Sequence, residues 1–333
     1  METPVALILF RRPERTARVL ERIREARPTK LFLIADGPRP GNDEDARGCE
    51  AARAVVERVD WPCDVVRDFA DENLGLKRRI PTGIDRVFEE TTEAIILEDD
   101  CLPHPSFFPY CAELLERYRE DERVVHISGS KLLRQPPAEA SYHFSRYVHI
   151  WGWGTWRRAW RLFDVDLEDW HRLPRREREA VLRRMFELDD ERRYWGWAWD
   201  HSKEIGNWDH QWAYLCLRRG WLAISPNRNL ISSVGFGEEA TFATADPLGI
   251  SERPLEGISF PLEHPEEVRR DVAADEEASR LFRRPKPSLW ERGVWGVQRA
   301  GGRALDFVPE AIRPKIRHRD QAGRVRSSTG ANR

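Results

Sequence analysis

No apolar run in this 333-residue chain approaches the 18 or so residues of a spanning helix. The N-terminal run from Val5 to Phe10 stops at Arg11-Arg12, too early for the apolar core of a signal peptide. A soluble protein of the cytoplasm is therefore expected. Cysteine is scarce. Cys49, Cys63, Cys101, Cys111 and Cys216 are odd in number and never spaced as CxxC or CxxH, which suits reduced thiols and excludes a sequence-evident zinc site. Internal repeats are absent, and no glycine-rich phosphate loop follows the first apolar run, where Phe10-Arg11-Arg12-Pro13 stands instead. Net charge is also small, at −2, but it is unevenly placed. From Arg283 to Arg333 there are thirteen Lys/Arg against four Asp/Glu, so this tail carries +9 and the remainder −11. A basic tail of this kind can touch anionic lipid or nucleic acid, though a solvated appendix is the commoner explanation, and no nucleic-acid partner is expected. This leaves a solvated appendix, or peripheral contact with anionic lipid on the inner membrane face, as readings of the tail.

Tryptophan is abundant. Eleven of the 14 copies lie between Trp151 and Trp221. Core filling accounts for most of them, with two or three left to stack on a flat ligand face such as a sugar ring. Hydrophobic periodicity predicts strands at 5–10, 31–35, 63–67, 94–97 and 124–128, with helices over 14–24, 43–59, 79–89 and 107–120 between them. Such alternation implies an α/β fold with a doubly wound, mostly parallel sheet and helices on both faces. After Gly129 the repeat breaks into the Trp-rich segment, a charged helix over about 175–191, a strand at 221–224 and a glycine-bearing loop from Ser232 to Gly237. Charges, prolines and glycines dominate from about Glu266. The expected division is 1–135, 136–265 as the second half of the same domain, and a basic, partly disordered tail over 266–333.

The strand Ala94-Ile95-Ile96-Leu97 ends in Glu98-Asp99-Asp100. Three carboxylates in a row require a positive neighbour. In open α/β sheets, ligands bind beyond the carboxyl ends of the strands. A hard cation such as Mg²⁺ or Mn²⁺ carrying a diphosphate suits this chemistry, and an acidic turn leading into the next helix is the plainer alternative. Two more strand ends bring polar groups to the same rim: Asp36-Gly37, and Asp71 to Lys77-Arg78. An Asp at such a position can accept from a base or ribose, while Lys77 and Arg78 can neutralise phosphate oxygens.

The stretch Ile96-Leu97-Glu98-Asp99-Asp100, Pro103 and Ser106-Phe107-Phe108, with the helix to Tyr118, resembles GT-A glycosyltransferases related to N-acetylglucosaminyltransferase I and family 2-like bacterial enzymes. The resemblance continues through Trp151-Gly152-Trp153-Gly154-Thr155-Trp156 and Trp208-Asp209-His210-Gln211-Trp212, and covers roughly residues 4–245. It implies a GT-A fold with a Trp-rich acceptor side. It also implies transfer from a nucleotide-diphosphate sugar, UDP-sugar favoured, to a glycan, lipid-linked or other hydroxyl acceptor. By the same resemblance Asp36 contacts the base, Glu98 and Asp99 the sugar or ribose, Asp100 ligates Mn²⁺ or Mg²⁺, and Asp209 is the general base of an inverting reaction.

Asp200 and His210 are rivals to Asp209, and His149 and His201 lack ligand spacing. Gly235-Phe236-Gly237-Glu238-Glu239 has the glycines of a mobile lid. Thr241-Phe242-Ala243-Thr244 stands where related sequences carry a His, which leaves a second protein ligand to the metal in doubt. A sugar-nucleotide nucleotidyltransferase shares the fold class but needs the missing glycine loop. A Mg-dependent phosphatase using Asp36 as nucleophile needs a second Asp two residues on, which is absent. A non-catalytic carbohydrate-binding protein is the alternative from another class.

Overall fold

The computed structural model describes residues 1–133, 140–233 and 253–280. The first half alternates as its periodicity predicts: β1 (Val5–Leu9), α1 (Pro13–Ala26), β2 (Lys30–Ala35), α2 (Asp43–Val56), β3 (Asp64–Phe69), α3 (Leu76–Glu90), β4 (Glu93–Glu98), a short β5 (Cys101–Pro103), α4 (Phe107–Arg117) and β6 (Val124–Ser128). The second half adds β7 (Tyr142–Ser145), β8 (Trp153–Trp156), α5 (Arg157–Trp160), α6 (Glu168–Arg172), α7 (Arg175–Met185), α8 (Asp189–Asp200), α9 (Asp209–Arg219), β9 (Leu222–Pro226), β10 (Ile231–Ser233) and α10 (Val272–Ser279).

Local chemistry sets several of these boundaries. Pro13 opens α1, where its missing N–H costs nothing. Asn42 caps α2 by accepting from Asp45 N, ahead of an acidic first turn that suits the helix dipole. Gly220, with φ +67°, ends α9.

Eight strands form one sheet in the order β3-β2-β1-β4-β8-β6-β9-β7. The pairs β3-β2, β2-β1, β1-β4 and β6-β9 are parallel, whereas β8 runs against both β4 and β6, and β7 runs against β9. Strand alternation divides the core. Val5, Leu7 and Leu9 face the layer of α1, α2 and α4, and Ala6 and Ile8 face α3, α5 and α9. Each such aliphatic side chain contributes about 1.5–3 kcal/mol when buried, so both faces must be covered, and they are.

β8 was not expected as a strand. Its Gly154 lies opposite Ile95 of β4 and Ile127 of β6, and glycine weakens the strand signal. Tertiary packing overrides this, because the strand is paired on both sides and a Cβ at Gly154 would stand at ordinary contact distance, 3.5 Å, from Leu115 of α4. The expected charged helix over 175–191 ends at Met185, where extended backbone buries Phe186, and α8 starts anew at Asp189. Ser232 and Ser233, expected in a loop, pair with Leu102 and Cys101 in a β5-β10 ribbon.

Eight of the eleven clustered tryptophans are buried, leaving Trp151, Trp197 and Trp221 partly exposed. Trp153, Trp160, Trp208 and Trp212 pack under the sheet. Trp170, Trp195 and Trp199 build a separate helical layer on the back of α9. Packing also continues past residue 265, the expected end of the folded unit. Asp271 N donates to Phe144 O at 2.8 Å, and the buried Asp275 of α10 accepts from Ser145 Oγ at 2.5 Å and pairs with Arg270. The lid expected at Gly235 to Glu239, the stretch Thr241 to Thr244 and the basic segment from Arg283 lie outside the described residues. No helix among the described residues is long and apolar enough to cross a membrane.

A shift of register between Val124 and His126 marks a bulge in β6. It lets the neighbours Val125 and His126 both face the Trp153 side. His126 stacks on Trp153 at 4.8 Å, accepts from Trp212 Nε1 at 3.2 Å on Nδ1 and donates from Nε2 to His149 O at 3.0 Å. Burial pushes its pKa down to about 3. The unfolded chain therefore binds a proton that the folded chain refuses, and stability falls as pH drops from about 6.5 towards 3. Carboxylates with raised pKa values, Asp99 among them, oppose this in part of the same range. His126→Gln preserves one donor and one acceptor without the titration. Urea unfolding from pH 7 to 4 should show the wild type losing stability relative to this variant by about 1.4 kcal/mol per pH unit below 6.5.

Candidate functional site

The parallel strands β1 to β4 all end at one rim, and the turns that follow them carry the polar residues. Glu98 is the last residue of β4, with Asp99 and Asp100 in the turn beyond it. A guanidinium answers the three carboxylates. Arg12 Nη2 stands 2.5 Å from Asp99 Oδ1 and 3.4 Å from Asp100 Oδ2, and Phe10 N donates to the other Asp99 oxygen at 3.2 Å. Arg12 reaches there because β1 pairs directly with β4 and the chain after Leu9 turns at the rim into α1.

Burial dominates the electrostatics. Desolvation raises Asp99 to about 6, opposed by Arg12 and reinforced by Asp100. Glu98 is raised well above the ordinary carboxylate range by desolvation and then by Asp100 and Asp99, and Asp209 adds to the repulsion. The last contribution matters because Asp209 comes from the other half of the chain. It is the first residue of α9, preceded by Trp208, and the positive end of the helix dipole suits a carboxylate there. Glu98 is half-buried, and its carboxylate has no hydrogen-bonding partner among the described residues. Asp100 is also partly exposed, at 21% of its side chain. The Cys101 thiol, held protonated by burial, donates to it at 3.5 Å.

Two expected ligand contacts differ in this geometry. Asp99 is 1% exposed, with both oxygens engaged. It orients Arg12 and fixes the backbone at Phe10. Asp36 is saturated as well. One oxygen accepts from Gly37 N and Leu74 N, both at 2.9 Å, and the other from Asn73 Nδ2 at 2.9 Å and Gly75 N at 3.1 Å. Four donors fill a carboxylate's acceptor sites, so Asp36 shapes the turn before α3 and offers no free oxygen to a base. The turn comes so close that a Cβ on Gly37 would lie 2.5 Å from the Glu72 backbone, which explains the glycine.

Lys77 and Arg78, expected on phosphate, are bound to the Trp-rich half. Lys77 Nζ donates to Ser202 O at 2.8 Å, and Arg78 binds both oxygens of Asp166 at 3.1 and 3.2 Å. Burial lowers the Lys77 pKa. The two cations bridge the halves at the start of α3. Among the rivals to Asp209, Asp200 accepts from Trp170 Nε1 and pairs with Arg178 at 2.8 Å. Both ring nitrogens of His210 are occupied, by Tyr194 Oη and Asn207 Nδ2. Asp209, by contrast, is near enough for its charge to add to the repulsion on Glu98.

Sequence reasoning did not select Arg12. The available signal was a cation immediately after the first strand, the position where nucleotide folds often place a glycine loop.

The donor set can be compared with a divalent ion on these contacts. Among the described residues no group of three or more His, Cys, Asp or Glu could hold a metal. With Asp99 engaged, Asp100 and Glu98 remain. One or two carboxylates suit a Mg²⁺-like ion that arrives with phosphates, and do not make an all-protein cage.

No family model matches this sequence, and a search of curated proteins finds no match. Solved structures with partial likeness include apo UDP-glucose pyrophosphorylase, with 11% identity over 68% of this chain and 90% of that one and a TM-score of 0.35. Mouse xyloside xylosyltransferase 1 matches with 12% identity over 66% and 82% and a TM-score of 0.30. HddC from Yersinia pseudotuberculosis matches with 10% identity over 48% and 78% and a TM-score of 0.31. Likeness at this level carries no functional weight.

Removing Arg12 should be costly, because it leaves buried Asp99 without its partner. Arg12→Ala is expected to lose about 3 kcal/mol in urea unfolding near neutral pH. The double variant Arg12→Met, Asp99→Asn should recover much of that loss, since the charge is removed with its partner.

Proposed function

We propose that this chain is a metal-dependent glycosyltransferase of the GT-A type. It moves a sugar from a nucleotide-diphosphate donor, a UDP-sugar by preference, to a hydroxyl acceptor with inversion. The observation that carries the proposal is the electrostatic repulsion that Asp209, from the Trp-rich half, exerts on Glu98 at the end of β4, whose carboxylate has no hydrogen-bonding partner among the described residues. A transferase of this class needs two unlike functions across one reacting centre: a charged surface for the donor and a carboxylate for the acceptor's proton.

The chain's own residues divide these tasks. Asp36 holds the turn 73–75 in shape beside the donor cleft. Arg12 and Asp99 lock the turn that carries Asp100, which is the residue to ligate the metal, with Glu98 beside it. When bound, such an ion acts as a Lewis acid on the leaving diphosphate. Glu98, raised by desolvation, hydrogen-bonds a hydroxyl of the sugar or ribose. Asp209 accepts the proton of the acceptor hydroxyl as positive charge develops at the anomeric carbon, on the face opposite the departing nucleotide. Bonds broken and formed are then one C–O bond each, and no covalent enzyme intermediate is needed. The turn after β1 also weighs against the nucleotidyltransferase alternative, because Arg12 fills it where a glycine phosphate loop would be required.

The first experiment is thermal unfolding with UDP, GDP, dTDP or CMP, each with and without Mn²⁺. One nucleotide should stabilise the protein only with the metal, by about 2.7 kcal/mol at a hundred times its Kd. Asp100→Asn should abolish that shift. Asp209→Asn should retain it while lowering transfer from the identified donor by 10²- to 10⁴-fold, roughly the value of a general base. Full transfer by Asp209→Asn would remove Asp209 from the mechanism. Absence of any nucleotide shift would favour a non-catalytic carbohydrate-binding protein.

A further inference from the structure

A cavity lies beside β9 and β7, at one edge of the sheet and away from the acidic triplet that follows the central β4. β9 runs parallel to β6 and enters the sheet at Leu222, and β7 leaves it beside that residue, since Ser145 pairs with Ala223. Here the last turns of α7 and α9 meet the two strands around a cavity of about 430 Å³, a volume within the ligand-pocket range. Five arginines line it: Arg146, Arg184, Arg218, Arg219 and Arg270. No acidic residue among the described residues does. Val181, Met185, Leu217 and Leu222 give apolar walls, and the partly exposed Trp221 lies at its side with the Arg219 guanidinium 5.9 Å from its ring.

Arginines in the last turn of a helix normally offset its dipole, which would account for Arg184, Arg218 and Arg219 separately. It does not account for Arg146 from a strand end and Arg270 from the segment before α10 converging on the same space. The charges are also incompletely answered. Arg270 pairs with Asp275, Arg146 lies 3.5 Å from Glu191, and Arg218 lies 3.6 Å from Asp169. Arg184 and Arg219 have no acidic partner among the described residues. Moreover, the Arg146 Nε is fully buried and has no hydrogen-bond acceptor, although the other two guanidinium nitrogens donate to Met185 O and Tyr147 Oη, both at 2.6 Å. Leaving a buried donor unmade is costly. The Arg146 guanidinium thus brings a cation to the cavity that its neighbours answer incompletely.

We infer that this arginine-lined cavity is a binding site for a phosphate group, separate from the donor site and open to a phosphate carried on an apolar body. Guanidinium groups match phosphate oxygens in geometry and charge, and the aliphatic walls exclude water from one side of the contact. A soluble phosphate ester and a phospholipid headgroup share this chemistry.

The test uses the full chain in EDTA, so that metal-assisted binding at the acidic triplet does not contribute. Inorganic phosphate, titrated at constant ionic strength, should raise the melting temperature and give a calorimetric binding curve. The double variant Arg184→Gln, Arg219→Gln changes two exposed side chains and should melt like the wild type without phosphate. Its phosphate affinity should fall about tenfold or more. Flotation with phosphatidylcholine vesicles containing phosphatidic acid, but not with phosphatidylcholine alone, would assign the phosphate to a lipid headgroup if the variant loses it. Phosphate binding without flotation would assign it to a soluble ester. Equal phosphate affinity in wild type and variant, or neither phosphate binding nor flotation by the wild type, would overturn the inference.

Discussion

Three adjacent carboxylates at the end of a central, two-sided strand repel one another in a partly desolvated turn, and the pairing of Arg12 with Asp99 and Asp100 makes the turn tenable. The geometry depends on strand order. Because β1 lies next to β4, the first residues after β1 arrive beside the first residues after β4, and Arg12 meets the acids without a long excursion. Asp99 sacrifices its exposure to this contact. In return, Glu98 and Asp100 are presented at the rim with their acceptor capacity largely unspent.

The same economy appears at the neighbouring turn. Asp36 spends its whole carboxylate on the backbone of residues 37, 74 and 75 and the Asn73 side chain. Arg79, buried beneath, donates to Ala35 O and Asp68 and joins the ends of β2 and β3. Asp36 and Asp99, each the first residue beyond its strand, thus act as architecture, whereas Glu98, still within β4, and Asp100 keep acceptor capacity.

The Trp-rich half is a support for α9 on two sides. Trp208 and Trp212 press one side of it against the sheet, where Trp153 stacks between His126 and Trp208. Trp199 and Tyr214 pack on the other side in the outer helical layer. A helix gripped in this way has little freedom to translate, so Asp209 is held in place at its first turn. Lys77 and Arg78 reinforce the alignment by tying α3 to Ser202 and Asp166. The arginine cavity lies at the far end of the same helix, below its last turn.

The amino-acid order alone determined the α/β alternation from Val5 to Ser128, because runs such as Leu31 to Ala35 must be buried on both faces and the intervening helices carry one apolar stripe each. It also placed Glu98, Asp99 and Asp100 at a strand end and set Asp209 in a Trp-flanked segment, since both are features of local composition. Only tertiary structure decided which carboxylate is free. Asp36, Glu98 and Asp99 look alike in sequence, and their difference comes from donors 37 residues away in one case, an arginine 87 residues away in another, and none in the third. The strand character of Trp153 to Trp156 was likewise hidden, because its glycine is tolerated through neighbours on both sides and not through its own propensity. Long-range pairing, which no local pattern encodes, made those choices.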